Sequence, residues 1–379
     1  MQFAIDDTFN TVAKMKVVGV GGAGGNAVNR MVQTGLEGVE FIALNTDAMA
    51  LDNNMAHVRL QIGEKITGGL GAGANPKIGM EAMDADRDKL RSHIEGSDMV
   101  FITAGMGGGT GTGAAPVVAE IAREMNILTV GVVTKPFIFE GPIREKNAKI
   151  GLDAFKKIVD TIIVIPNQKL LSIIERTTTF RDAFKLADEV LSSATRGISE
   201  IILKHGDIQV DFADVKAIMC QGGEAMMGSG TGVGENRALE AAEKAIHSPL
   251  LDDISITGAT GVLVNITGGE DLGMLETHDA MNFIHEAVGV KSNANIIFGT
   301  VINPQLKDEV SITVIATGFG NSAQPIQETF EIPSQPQVVR IEEAHLRPQT
   351  VKDETIITEP QERPDRTLVF PFDHQKVRG

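Results

Sequence analysis

The stretch Gly105-Met-Gly-Gly-Gly-Thr-Gly-Thr-Gly113 decides the fold class of this 379-residue chain. It follows an apolar run, Met99 to Ala104, and precedes a helical pattern that starts at Ala115. Glycines and small hydroxyl residues between a strand and a helix leave many backbone N–H groups free to surround phosphate oxygens. A tight turn would need only one or two glycines. The stretch therefore predicts a phosphate-binding loop.

A second glycine segment, Gly19-Val-Gly-Gly-Ala-Gly24, follows the first predicted strand and opens a helix, and Asp47 ends the second strand. On its own this pattern indicates an NAD-dependent oxidoreductase. That alternative leaves Gly105 to Gly113 unexplained, and no acid or base for hydride transfer is evident. Glycines and a helix N-terminus suit the phosphates of many nucleotides. The segment thus predicts a phosphate contact without identifying the nucleotide.

A third segment, Gly68-Gly-Leu-Gly-Ala-Gly-Ala-Asn-Pro76, again lies between a strand and a helix. Two interpretations stay open, a mobile loop and a loop that covers the terminal phosphate.

The chain contains no Gly-x-x-x-x-Gly-Lys-[Ser/Thr] motif, which excludes the commonest class of NTPase. Phosphate charge must then be neutralised by backbone dipoles, by the hydroxyls of Thr110 and Thr112, and by a metal ion. The sequence also offers no Ser-His-Asp, Cys-His or His-rich metal constellation. Hydrolysis of a phosphoanhydride needs mainly positioning, charge stabilisation and an oriented water.

Short apolar runs separated by helical patterns predict a doubly wound α/β domain with a mostly parallel sheet. The predicted strands are Lys16 to Val20, Glu40 to Leu44, Val58 to Ile62, Met99 to Ala104, Leu128 to Val133 and Thr161 to Ile165.

A long helical pattern follows, from Thr179 to His205, and is expected to span between two domains. Beyond it the sequence predicts a second, smaller α/β domain. Its predicted helices are Val215 to Met219 and Asn236 to Ile246, and its predicted strands are Gly261 to Ile266, Ile296 to Val301 and Val310 to Ala316.

Composition narrows the functional class. The net charge of −16 comes without a basic patch, so nucleic acid is not an expected partner. The single cysteine, Cys220, cannot form an internal disulfide, and the N-terminus lacks the pattern of a signal peptide. No apolar run approaches the roughly 18 residues that span a bilayer. We expect a cytoplasmic protein with no direct membrane span.

Several independent motifs resemble the FtsZ family of tubulin-like division GTPases, from about Met15 to Thr317. The matching motifs are Gly19 to Asn26, Asn45-Thr-Asp47, Gly71 to Pro76, Gly105 to Pro116, Thr134-Lys-Pro-Phe-Ile-Phe-Glu-Gly141 with Arg144, Phe180-Arg-Asp-Ala-Phe184 and Val210-Asp-Phe-Ala-Asp214.

The resemblance implies a tubulin-like α/β fold that binds GTP or GDP with Mg²⁺ and forms head-to-tail homo-oligomeric filaments at the midcell division ring. The domain organisation that follows is a flexible N-terminus (1–14), a GTP-binding domain (15–178), a central helix (179–205), a C-terminal activation domain (206–318), a disordered linker (319–366) and a C-terminal docking peptide (367–379).

The resemblance also implies roles for single residues. Phe184 would pack on the base, and Asp188 would accept its N–H groups with help from Asn26 and Asn167. A carboxylate suits guanine, which offers N1–H and N2–H₂ together, and residues i and i+4 share one helix face. Glu140 and Arg144 would contact ribose and phosphate.

With the glycine segments, these roles define the expected nucleotide contacts, and no metal ligand is predicted among the side chains. The contacts are Gly21, Gly22, Asn26, Ala72, Gly73, Gly105, Met106, Gly107, Gly108, Gly109, Thr110, Gly111, Thr134, Glu140, Arg144, Asn167, Phe184 and Asp188.

For catalysis, the family uses the positions of Asp211 and Asp214, which reach the GTP of the next subunit and polarise the attacking water. The same residues also fit an N-cap and an acid in the first helical turn, and both roles are compatible. Gln209 stands where the family usually has Asn, so its placement of nucleotide or water is open. A third hypothesis is therefore a tubulin-like protein that binds GTP with weak or no polymerisation.

The last 59 residues are rich in proline and are expected to be disordered. Leu368-Val-Phe-Pro-Phe372 keeps the apolar character of the family's terminal peptide but not its letters. It predicts either a nonspecific apolar end or a peptide that docks membrane-tethering division proteins such as FtsA.

Overall fold

The computed structural model describes residues 13–175, 177–204, 206–251, 256–289 and 294–319. The predicted flexible N-terminus (1–14), linker (319–366) and docking peptide (367–379) lie outside these ranges, apart from residues 13, 14 and 319.

Six parallel strands form the first half of the sheet, in the order β3-β2-β1-β4-β5-β6. Each of the six predicted strands is confirmed to within one or two residues at its ends. The strands are β1 (Met15–Val20), β2 (Val39–Asn45), β3 (Val58–Gln61), β4 (Met99–Gly105), β5 (Leu128–Lys135) and β6 (Thr161–Pro166).

The register aligns the carboxyl ends of these strands. Val20 of β1 pairs with Leu44 of β2 and with Ala104 of β4, and Gly105 pairs with Thr134 of β5. The loops that leave β1, β2, β4 and β5 therefore gather at one edge, where open α/β sheets bind their ligands.

Helices cover both faces of this sheet, as the apolar strands predict. One core packs α1 and the long helix α9 on the sheet, and a second core packs α4 to α7 on the opposite face. The helices are α1 (Gly21–Gln33), α2 (Ala48–Asp52), α3 (Glu64–Thr67), α4 (Pro76–Ala85), α5 (Arg87–Ile94), α6 (Thr110–Glu124), a 3₁₀ turn (Ile138–Glu140), α7 (Pro142–Phe155), α8 (Asn167–Leu170) and α9 (Phe180–Leu203).

The long helix α9 confirms the predicted central helix. The Thr179 side chain accepts a hydrogen bond from the backbone N–H of Asp182 and so caps the first turn. Leu191, Ala194 and Ile198, at helical spacing, are fully buried. The predicted last residue, His205, lies outside the described ranges, and the helix ends at Leu203.

The second half of the chain adds four strands, which continue the sheet in the order β7-β10-β8-β9 and enclose a third core. Its pairing is mixed, because β10 is antiparallel to β7 and β8 whereas β8 and β9 are parallel. The elements are α10 (Phe212–Met219), β7 (Glu224–Val233), α11 (Arg237–Ile246), a 3₁₀ turn (Ile256–Gly258), β8 (Gly261–Gly268), α12 (Met274–Val288), β9 (Asn295–Ile302) and β10 (Glu309–Thr317).

Two of these elements, β7 and α12, were not predicted. Strand β7 pairs in parallel with β6 through Ile162 and Ile163, so it joins both halves into one sheet. Its glycines make it a poor strand by propensity. They have a packing role, because a Cβ at Gly228 or Gly230 would lie 1.9 or 2.3 Å from carbonyl oxygens of α11. The alternating glycines thus let the helix backbone pack directly on the strand.

No helix in the described ranges is long and apolar enough to cross a membrane.

Candidate functional site

A cavity of about 280 Å³ opens at the carboxyl edge of the parallel strands. It lies between the segments after β1, β4, β5 and β6 and the N-terminal part of α9, so five separate segments contribute to it. The lining residues are Val20, Gly22, Ala23, Gly105, Met106, Gly108, Gly109, Thr110, Gly111, Thr134, Pro136, Glu140, Arg144, Asn167, Phe184, Ala187 and Asp188.

The floor of the cavity is the predicted phosphate loop. Helix α6 starts at Thr110, so its N-terminus faces the cavity together with Gly108 and Gly109. The first N–H groups of a helix have no partner within the helix and carry a positive partial charge. This arrangement favours an anion such as phosphate.

Most of the predicted contacts meet here, and five do not line this cavity. Gly21 and Asn26 line a neighbouring cavity of about 180 Å³, which shares Gly22 with the first. Ala72 is buried beside Gly109, whereas Gly73 is exposed. Gly107 faces α7, since a Cβ there would lie 2.9 Å from the carbonyl oxygen of Arg144.

The hydroxyls of Thr110 and Thr112 each have a hydrogen-bond partner within the protein. The Thr112 hydroxyl accepts a hydrogen bond from the backbone N–H of Gly107 at 2.8 Å, so both groups are used inside the loop. The Thr110 hydroxyl lies 2.7 Å from that of Thr46 at the end of β2. Thr112 is 2% exposed and does not line the cavity, so a contact of its hydroxyl with phosphate stays a prediction.

Aromatic rings form one wall of the site. Phe184 lies 5.3 Å from Phe137 in an edge-to-face arrangement and 5.0 Å from Phe180. Phe139 stacks on Phe137 at 4.9 Å and contacts Phe180. Phe137 is fully buried, so this cluster fixes the Phe184 ring beside the cavity and offers an apolar surface to a planar group.

Two hydrogen-bond acceptors face the same cavity. Burial raises the pKa of Asp188 to about 7, with a further rise from Glu189 and an opposing effect of Arg30. Arg30 on α1 donates a hydrogen bond to Glu189 and links α1 to α9. The Oδ1 atom of Asn167 is buried without a hydrogen-bond partner, and the residue is 5% exposed. An unpartnered buried acceptor is costly, so a ligand N–H would find a ready partner here.

Glu140 and Arg144 lie at the mouth of the cavity. The Glu140 carboxylate accepts a hydrogen bond from the backbone N–H of Phe137 at 2.9 Å and one from the Arg144 guanidinium at 2.5 Å. The arginine is half exposed, so its charge faces the solvent at the entrance. An anion that enters would meet this cation first.

None of the predicted catalytic residues lines the cavity. Asp211 occupies the N-cap position of α10, but its side chain makes no capping hydrogen bond, so the predicted capping role is not carried by the side chain. Asp211, Asp214 and Gln209 are all exposed. Within the described ranges, no ion pair engages either carboxylate. The structure therefore does not bring these residues to the nucleotide contacts of the same chain.

A search of the described residues finds no group of three or more His, Cys, Asp or Glu side chains that would hold a metal ion. Residues that the sequence analysis overlooked include Ala23 and Ala187, which line the cavity, and Thr46, which bonds Thr110. Ala23 could have been predicted from the sequence, because it lies inside the second glycine segment.

Two family models match this chain. Residues 14–175 match the GTPase domain of the Tubulin/FtsZ family, and residues 223–320 match the C-terminal domain of the FtsZ family.

Solved structures give the same relationship. An FtsZ dimer from M. jannaschii is 48% identical, with a TM-score of 0.78 over 82% of this chain and 89% of that one. A point mutant of FtsZ from M. jannaschii gives the same identity and TM-score over 92% of its length. CetZ2 from Haloferax volcanii, solved as a GTPgS-bound protofilament, shares the fold at 21% identity, with a TM-score of 0.69 over 80% of this chain and 93% of that one.

Proposed function

This chain belongs to the FtsZ family of tubulin-like GTPases, and from that premise we propose that it assembles head to tail and hydrolyses GTP between subunits. The filaments would form the cytokinetic ring at midcell during cell division. The GTPase domain of this family binds GTP and GDP. The assembly, the shared active site and the place in the cell are the proposal.

The observation that carries it is the separation of two half-sites along α9. Phe184 and Asp188 lie near the start of this 24-residue helix, and Asp211 and Asp214 follow its end. At about 1.5 Å per residue the helix rises roughly 22 Å between Asp188 and its last residue, Leu203. The two aspartates follow the far end of α9 and do not line the cavity of their own chain. A second subunit would bring its aspartates to this cavity and so join the two half-sites.

The loop that carries the aspartates is fixed on the second half of the sheet. Ile208 donates its backbone N–H to the Thr300 hydroxyl at 2.9 Å and accepts the backbone N–H of Thr300 at 3.0 Å. Val210, two residues further, is buried. A loop held at Ile208 and at Val210 can present exposed carboxylates to another molecule in a defined direction.

Exposed apolar side chains occur near both half-sites. In segments next to cavity-lining residues, Leu70 is 88% exposed, and Ile138 and Phe139, directly before Glu140, are also exposed. On α12, Met274 and Leu275 are each 79% exposed. Exposed apolar side chains that lie close to one another can mark interaction surfaces.

The second cluster lies at the same end of the fold as the aspartate loop. Thr300, which bonds Ile208, pairs with Ile266 of β8, and β8 ends at Gly268. Leu272 packs back against Gly268, and Met274 follows two residues later. Two different surfaces that meet head to tail form a heterologous contact, which yields open filaments.

In the proposed reaction, a water oxygen bonds to the γ-phosphorus while the bond to the β,γ-bridging oxygen breaks. GDP leaves, and the proton of the water ends on the released phosphate. Asp214 from the neighbouring subunit would accept a hydrogen bond from this water and orient it, with Asp211 and Gln209 beside it. The N–H groups at the start of α6 would stabilise the charge that develops on the phosphate oxygens.

Mg²⁺ is expected to bind through the nucleotide, because phosphate oxygens and waters are its usual ligands. When bound it would neutralise phosphate charge. Guanine would be selected by Asp188 and Asn167, since an ionised carboxylate accepts N1–H and N2–H₂ together and the Asn167 Oδ1 atom lacks a partner. Adenine offers a lone pair at N1 and would be rejected.

The proposed C-terminal contact with a membrane-tethering division protein such as FtsA rests on Leu368 to Phe372 alone, which lie outside the described residues. Deleting residues 367–379 should abolish tether binding and leave GTPase activity unchanged. Unchanged tether binding after the deletion would end this part of the proposal.

Two measurements test the shared site. The GTPase rate per molecule should rise with protein concentration and then level off, because the active site exists only between subunits. Neither Asp214→Ala, which keeps its nucleotide site, nor Asp188→Ala, which keeps Asp214, should hydrolyse GTP alone. Mixed together they should recover activity, since the GTP held by the first variant meets Asp214 of the second.

Asp207→Ala is the matched control, because Asp207 is an exposed acid in the same loop and should be dispensable. A rate per molecule that stays flat with concentration, or an inactive mixture of two folded variants, would refute hydrolysis between subunits.

A further inference from the structure

Asn147 on α7 lies between two glycine segments that the sequence analysis treated separately. Its side-chain nitrogen donates to the carbonyl oxygen of Ala74 at 3.2 Å and, more weakly, to that of Gly107 at 3.5 Å. Ala74 belongs to the segment 68–76, and Gly107 belongs to the phosphate loop. Neither the glycine motifs nor the resemblance pointed to this residue.

The chemistry of the contact is specific to a primary amide. Both partners are carbonyl oxygens, so the amide must present its nitrogen, which carries one N–H for each of them. A carboxylate of the same shape has no proton to donate and would repel both oxygens. Asp at this position is therefore an almost isosteric variant that removes the contact.

Helix α7 is a rigid support for this side chain. Arg144 and Asn147 are three residues apart and lie on one helix face. A Cβ at Gly107 would lie 2.9 Å from the Arg144 carbonyl oxygen, so the helix backbone touches the phosphate loop one turn before Asn147. Gly107 has a φ of +110°, which only glycine adopts readily, so the close approach of the α7 backbone to the phosphate loop depends on a glycine at this position.

The segment 68–76 is held at its first half by a different element. The backbone N–H of Gly71 donates to the Thr46 carbonyl at 3.3 Å, and that of Ala48 donates to the Gly69 carbonyl at 3.1 Å. At the other end, the Asn75 side chain caps α4 by accepting the N–H of Lys77. Residues 72–74 lie between these fixed points.

Two observations place residues 72–74 against the phosphate loop. Ala72 is buried, and a Cβ at Gly109 would lie 2.8 Å from the Ala72 Cβ. Ala74 has a φ of +57°, a left-handed conformation that is costly for any residue except glycine. The hydrogen bond from Asn147 to the Ala74 carbonyl opposes that cost and holds this conformation.

We propose that Asn147 is a positioning residue that holds residues 72–74 over the terminal phosphate and thereby helps the site to prefer GTP over GDP. This inference rests on the proposed function as a GTPase. The contact with Ala74 matters only for a nucleotide whose last phosphate reaches the segment, because GDP ends one phosphate earlier. The approach to Gly107, at 3.5 Å, is too long to contribute much to the shape of the phosphate loop. Losing it should weaken GTP binding and leave GDP binding intact.

The test measures dissociation constants of GDP and of a non-hydrolysable GTP analogue by competition with a fluorescent nucleotide. Asn147→Ala should weaken binding of the GTP analogue about five- to tenfold, as expected for one neutral hydrogen bond, with GDP affinity within twofold of wild type. Asn147→Asp should lose at least as much. Lys146→Ala, the adjacent exposed position on α7, should leave both constants unchanged.

Hydrogen exchange with the GTP analogue bound gives a second readout, in which Asn147→Ala should speed exchange of the amides of residues 72–74. Equal weakening of GDP and GTP binding would indicate a merely structural role and overturn the proposal, as would unchanged GTP affinity in both variants. Failure of the proposed function is distinguishable, because it would appear in wild-type protein as a GTPase rate per molecule that stays flat with protein concentration, whereas this inference is judged by the ratio of GTP-analogue to GDP affinity in the variants.

Discussion

Phe184 and Asp188 lie one helical turn apart on α9, and both side chains line the same cavity. The ring is fixed by Phe137 and Phe180, and the carboxyl is buried enough to raise its pKa to about 7. The pair offers a flat apolar surface and an acceptor that changes charge near neutral pH.

The first prediction concerns the pH dependence of nucleotide binding. Only the ionised Asp188 accepts two N–H groups, so the affinity for GDP should increase as the pH rises through about 7. Below pH 7, each further unit of pH should lower the affinity by up to about tenfold. Titration calorimetry between pH 6 and pH 8 measures this. Asp188→Asn should bind more weakly and show a flatter pH profile, whereas a flat wild-type profile would contradict the assignment.

The same carboxyl should destabilise the nucleotide-free protein at high pH. Its pKa is raised on folding, so its favourable contribution is fully present below about pH 4 and is lost as pH rises through about 7. Asp188→Asn should therefore raise the free energy of unfolding at pH 8 by roughly 1 kcal/mol or more. A fully buried carboxyl with the same pKa would give ~4 kcal/mol, and the partial exposure of Asp188 lowers this value. Urea unfolding at pH 5 and pH 8 measures this, and an equal effect at both would be inconsistent with it.

The Thr112 hydroxyl offers a third test, because it accepts the Gly107 N–H inside the phosphate loop. Thr112→Val keeps the shape and leaves that N–H unpaired, so GDP affinity should fall about tenfold, equivalent to about 1.4 kcal/mol. Thr112→Ser keeps the hydroxyl and is the matched control. Fluorescent nucleotide binding measures both, and wild-type affinity in the valine variant would argue that the bond does not shape the loop.

Leu275 provides a test of assembly that is separate from nucleotide binding. Leu275→Glu places a charge in the exposed pair on α12, so it should abolish filament formation and lower the GTPase rate per molecule while GTP binding stays unchanged. Sedimentation and light scattering with GTP follow assembly. Ile150→Glu is the matched control, because it adds an acid at an exposed position on a different helix, α7, and this variant should assemble normally. Normal filaments from the Leu275 variant would exclude this surface from the contact.

The buried Arg237 is predicted to stabilise the end of the fold that carries Leu275. It is 7% exposed and bonds the carboxylates of Asp271 and Glu276 at 2.6 and 2.8 Å. Arg237→Met leaves both acids without their partner, so the melting temperature should fall by several degrees. Arg237→Lys keeps the charge but not the bidentate geometry, so its melting temperature should lie between those of wild type and Arg237→Met.

The Arg237 contribution has a defined pH dependence. Hydrogen bonds from Arg237 hold the pKa of both carboxyls below the usual range. Their stabilisation is present above about pH 4 and is lost as pH falls through the lowered values. Melting curves of wild type and Arg237→Met should therefore converge at low pH, and a constant difference down to pH 2 would refute the ion-pair explanation.

The sequence by itself determined the parallel half of the fold and the chemistry of its loops. Strands that are apolar throughout can only be covered on both faces, and glycines after a strand leave N–H groups for phosphate. For that reason β1 to β6, α9 and the phosphate loop at Gly105 were all predictable. The roles proposed for Phe184 and Asp188 needed the family resemblance, because either residue alone looks like an ordinary core or surface residue.

Tertiary structure alone decided the features that depend on distant partners. Strand β7 contradicts local propensity, and only α11 packed on its glycines explains it. The Thr112 hydroxyl turned inward because the loop closes on itself, and Asn147 joined two loops that are far apart in sequence. The local sequence pattern predicts which backbone groups are free to form hydrogen bonds. The partners of those groups are decided by how the helices and strands pack against one another.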